Sequence, residues 1–192
     1  MTIPLIVWII SVLIWLFPPF KQRKTEYFWY FLILAITDPL TAILNLTLSI
    51  KTIQVNLLIT FCLILALSDF SMIKKNWIIV VLIFLILVVA VSDLSIKAQN
   101  EIKILLSFIV LFIILKNSLL YFNKNHTINL FFLIFILYEI TIITKFMFSI
   151  SETKTGVVYF YTTSFFEYFI GIYFSFFNVE NSPKFKLIKE DI

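Results

Sequence analysis

Long apolar runs separated by short polar links define this chain. Seven of them follow one another: Ile3–Phe17, Tyr27–Ile50, Val55–Phe70, Trp77–Val91, Ile102–Leu120, Thr127–Ile150 and Val157–Phe177. A barrel strand would alternate apolar and polar positions over about ten residues. These runs are apolar on every face, as a helix surrounded by lipid is. About 20 mostly apolar residues cross the hydrocarbon as one helix. The pattern therefore predicts an all-α, polytopic integral membrane protein with about seven transmembrane helices. The first run, at 15 residues, is short for a span, and if it lies on the surface, six spans remain. The predicted organisation is one helical bundle over residues 1–177 and a short polar tail over 178–192, mobile and cytoplasmic.

The links set the orientation. Lys21, Arg23 and Lys24 follow the first run, and no small-x-small cleavage site does, so an uncleaved helix is expected. With the N-terminus outside, inner links and tail carry ten Lys and Arg residues and outer links four, among them Lys103. Positive charge collects on the cytoplasmic side. The predicted C-terminus is cytoplasmic, and the predicted location is a cell membrane, the bacterial inner membrane in particular. Tyr27, Trp29 and Tyr30 read as an interfacial aromatic belt, and Asp69 as an interfacial residue beside a lysine pair.

Composition agrees with the pattern. Of 192 residues, 61% are hydrophobic and 14% charged, with a mean hydropathy of +1.05. Soluble domains carry about 25% charged residues. Only two glycines are present, so close small-residue helix crossings are not the expected packing device. The net charge of +4 lies in short links and suggests topology signals, not nucleic-acid binding. One cysteine, Cys62, makes no internal disulfide and no multi-cysteine metal site. The one histidine, His126, reads as a solvated link residue.

Candidate chemistry rests on three acids. Asp38, Glu139 and Glu167 fall near the middle of the second, sixth and seventh runs. A charge at the centre of a span costs at least about 2.5–3.5 kcal/mol, so such acids mark functional sites. From Asp38, Thr41, Asn45 and Ser49 share a face and form a polar stripe. Pro39 frees the carbonyl of Ala35 and is read as a hinge. Thr163, Ser164, Gly171 and Ser175 flank Glu167, whereas no polar stripe continues from Glu139. Lys145 lies six residues beyond Glu139, about 9 Å along the axis and about 120° round it. It is expected to snorkel outward, with an acid on another helix as its other partner. No lysine or arginine is read at the depth of the acids. Their carboxyls are expected to converge on one polar cavity that binds a ligand or cation.

No nucleotide, metalloprotease or hydrolase motif is present. The chain is read as no enzyme, with no cofactor and no metal. Two functions are expected from what remains. One is a sensory or interaction subunit that signals through a membrane or cytoplasmic partner. The alternative is a small-solute or proton- or cation-coupled transporter that uses the midplane carboxylates. The lipid bilayer is the expected environment, and a small solute or cation the other partner.

Overall fold

The computed structural model describes residues 3–68, 75–78, 80–85, 94–150 and 155–186. Seven helices carry the fold among them: α1 (Ile3–Trp15), α2 (Pro18–Gln22), α3 (Phe28–Leu48), α4 (Thr52–Leu67), α5 (Ile96–Asn125), α6 (Leu130–Ile150) and α7 (Thr155–Phe176). Residues 80–85, from the fourth apolar run, are also helical. Three stretches are long and apolar enough to cross a membrane: Phe28–Leu48, Ile96–Asn125 and Leu130–Phe148. Asp69, Lys74, Glu152, Lys154, the end of the fourth run and residues 187–192 lie outside the described residues.

Local chemistry explains where helices stop. With almost no glycine available, the left-handed residue that lets a chain leave a helix is supplied by others. Ser49 ends α3 at φ 54°, and His126 ends α5 at φ 51°, its N–H bonded to the Phe122 carbonyl. Ser95 caps the start of α5 by accepting from the Ala98 N–H at 3.3 Å. The expected loop over Ser92–Glu101 is therefore helical from Ile96 onward. Pro18 and Pro19 sit in the first turn of α2, where a missing N–H costs nothing. They follow directly on the first apolar run, whose helix α1 is 13 residues long, about 20 Å at 1.5 Å per residue.

Six of the helices close a ring. Going round it, α3 packs on α4, α4 on α5, α5 on α6, α6 on α7, α7 on α1, and α1 on α3. The α1–α7 contact is tight at Gly171, where an added Cβ would meet Ile14 Cγ2 at 2.7 Å. Here a glycine permits the close approach. At one end of the ring, Tyr27, Tyr30 and Phe31 of α3 and its entry meet Phe131 and Phe135 of α6 and Phe174 of α7. These rings are at most 1% exposed. They contact one another edge to face or tilted, the geometry that aromatic quadrupoles favour.

The same end holds the one feature of a kind that the apolar pattern did not predict. Thr127–Asn129, expected to open the sixth helix, forms strand β1. It pairs antiparallel with β2, Lys184–Lys186, from the tail. Residues 178–186, expected to be mobile, are tied down. The Leu130 N–H donates to the Pro183 carbonyl at 3.0 Å, and the Phe131 N–H to Ser182 Oγ at 2.9 Å. Asn129 Nδ2 donates to the Val179 carbonyl at 2.7 Å. Gln22, fully buried, donates to the carbonyls of Phe174 and Phe177. The tail so satisfies backbone groups at the entrance of α6 and the exit of α7.

Candidate functional site

Asp38 lies at the middle of α3, beside Pro39 inside a continuous helix. Glu139 of α6 and Glu167 of α7 are buried. All three line one cavity of about 390 Å³ inside the ring, to which α1, α3, α4, α5, α6 and α7 all contribute. Its lining comes from most of the length of α4, the first half of α5, the middle of α3 and α7, and the stretch of α6 from Tyr138 to Phe146. The cavity thus lies at the middle of the bundle, beyond the packed rings of the sheet end. Among the described residues, no three His, Cys, Asp or Glu side chains gather closely enough to hold one metal ion. The acids share a space and not a coordination point.

Two lysines line the same cavity, against the expectation that no cation lies at this depth. Lys145 does not snorkel outward. Its Nζ donates to both carboxylate oxygens of Glu167, at 3.0 and 3.1 Å, bridging α6 and α7. Lys103, assigned from sequence to an outer link, is buried at 7% exposure. Its ammonium stands 3.4 Å from the centroid of the Phe146 ring, a geometry in which the ring face attracts a cation. The reason for the miss is the helix boundary. Starting α5 at Ile96 puts Lys103 on one inward face with Ser107, Val110 and Ile114, all buried. A capping serine at position 95 followed by that i, i+4, i+7, i+11 stripe was the readable signal. For Lys145 the signal was its spacing of seven from Tyr138, which is buried on the inward face of α6.

The other two acids are held differently. The Tyr30 hydroxyl donates to Glu139, joining α3 to α6 within the buried interior. Glu139, which showed no polar stripe in sequence, is thus tied to a second helix. Asp38 accepts from Ser11 Oγ of α1 at 3.4 Å, which is long for a hydroxyl donor. Thr37, Asn56, Thr60, Ser107 and Ser164 add polar groups to the wall, while Ile59, Leu63, Val110 and Ile142 make it apolar elsewhere.

Thr41 and Asn45 are not part of this lining. Thr41 is buried and donates to the Thr37 carbonyl at 2.7 Å. Asn45 donates to Thr52 Oγ1 at 2.9 Å, across the α3–α4 turn. The predicted stripe is real as a helix face, but it runs past the cavity into the link between two helices. Ser175 likewise donates to the carbonyl of Gly171, one turn back in its own helix.

Chemically, the cavity offers three carboxyls, two ammonium groups, several hydroxyls and an apolar wall. It suits a small polar molecule or ion. No family model matches the chain, and no curated protein or solved structure matches it.

Proposed function

We propose that this chain is a multi-pass protein of the bacterial inner membrane that binds a small polar solute in its central cavity and carries it with a coupling proton or cation. The observation that carries this reading is the charge inventory of the cavity: three carboxyls against two ammonium groups. One carboxyl is in excess, and a buried charge is paired or neutralised. A proton or cation that enters with the solute neutralises it. A volume near 390 Å³ falls in the range of small-molecule sites. The groups that face one another there are Tyr30 and Asp38 from α3, Lys103 from α5, Tyr138, Glu139 and Lys145 from α6, and Glu167 and Tyr168 from α7. Glu167 is matched by Lys145, so Glu139, bonded to a neutral hydroxyl, is the coupling carboxyl in this reading. Pro39, next to Asp38, interrupts the hydrogen-bond ladder of α3 and is the hinge.

Membrane residence is supported by the outer surface. Phe112, Phe165, Phe166 and Phe169 are each more than half exposed, which suits lipid and not water. An N-terminus outside and a cytoplasmic C-terminus are supported by the positive charge near the sheet end, where Arg23, Lys24, Lys124 and Lys184 are exposed.

The experiment is reconstitution of the purified chain into proteoliposomes with a pH-sensitive dye inside. A solute that drives proton entry in the wild type, and exchanges without proton entry in Glu139→Gln, is the expected result. Solute binding without any flux would overturn transport and leave a sensory subunit.

A further inference from the structure

Lys103 is the least expected group in the cavity. Its side chain reaches the interior from α5, is more than nine-tenths buried, and has no oxygen acceptor among the described residues. A ring face alone attracts an ammonium less than a carboxylate does. The other cavity lysine already holds Glu167 through both oxygens. Across the same space, Asp38 is held by one long hydrogen bond from Ser11. An ammonium with no hydrogen-bonded carboxylate and a carboxylate short of donors therefore share a cavity whose remaining wall includes Ile59, Leu63 and Val110.

We infer that the cavity recognises a zwitterionic molecule of amino-acid size, with its carboxylate on Lys103, its ammonium on Asp38, and an apolar side chain on the wall. The inference rests on the solute-binding reading and names the class of solute. The charges then close. Lys103 is matched by the ligand carboxylate, Asp38 by the ligand ammonium and Glu167 by Lys145. Glu139 is left as the single carboxyl for a proton. A ligand lacking either charge leaves one buried ion unmatched, which is the costly case for a desolvated pair.

The test is equilibrium binding to the full chain in lipid nanodiscs with three probes. These are leucine, isopentylamine, which is leucine without its carboxylate, and 4-methylpentanoate, which lacks the ammonium. Leucine is expected to bind at least about tenfold more tightly than either analogue, the scale of one charge-assisted hydrogen bond. In Lys103→Met the advantage over isopentylamine is expected to vanish, and in Asp38→Asn the advantage over 4-methylpentanoate. The wild-type comparison decides without any variant, so misfolding of a variant does not blunt it. Amine and leucine binding equally would overturn the zwitterion while leaving a cation-carrying protein intact. Failure of leucine to bind would overturn it too, and the proteoliposome flux would then judge the carrier reading by itself.

Discussion

At the sheet end of the bundle, the rings of Tyr30, Phe31, Phe135 and Phe174 stand with centroids 4.7–5.7 Å apart. Toward the middle of the bundle, the same helices surround a cavity of about 390 Å³ lined by five carboxyl and ammonium side chains. Both regions are built on α3, α6 and α7. On α6 the change comes within four residues, between Phe135 and Glu139. In the membrane reading proposed above, helices gain little from leaving the solvent, so association rests on close packing and buried polar contacts. The aromatic region uses the first, and the charged region uses the second. A cavity costs packing contacts, and the packed rings supply such contacts on the same three helices.

The largest effect is expected where the charged region depends on a single pair. Lys145→Met leaves Glu167 buried without its partner and should cost about 3–5 kcal/mol. Lys145→Met with Glu167→Gln should recover most of that. Unfolding of the purified proteins in detergent, followed by circular dichroism, measures both. A double variant no more stable than the single one would mean that the pair does not hold α6 to α7.

Next comes the packed region. Phe135→Ala opens a void among four or more rings and should cost about 3 kcal/mol in the same measurement. Ligand affinity should change little, since the residue lies outside the cavity lining. A large loss of affinity with intact folding would break the division into a holding region and a binding region.

The smallest effect sharpens the role of the tail. Gln22→Ala removes two hydrogen bonds, to the carbonyls of Phe174 and Phe177, and should cost about 1–2 kcal/mol. Hydrogen exchange should then accelerate at residues 177–186 and not at the cavity helices. Faster exchange around Lys103 would mean that the two ends of the bundle are coupled.

Much of this architecture was legible in the chain. The apolar runs foretold five of the longer helices to within a few residues, because a long apolar run bounded by polar links is itself a helix signal. The place of Asp38, Glu139 and Glu167 within their helices was readable as well, since it follows from position along a run. The strand pair was not. Thr127 and Ile128 are β-branched, but three residues at the head of a long apolar run are too few to read as a strand, and β1 exists because the tail returns to pair with it.

What the sequence by itself determined is where helices lie and which acids sit at their centres. What only the tertiary structure decided is which faces meet: that Lys145 reaches Glu167, that Lys103 lies against the Phe146 ring, and that the stripe of Thr41 and Asn45 misses the cavity. The physical reason is that runs apolar on every face carry no amphipathic signal. Their rotation about the helix axis is set by the neighbours they pack against.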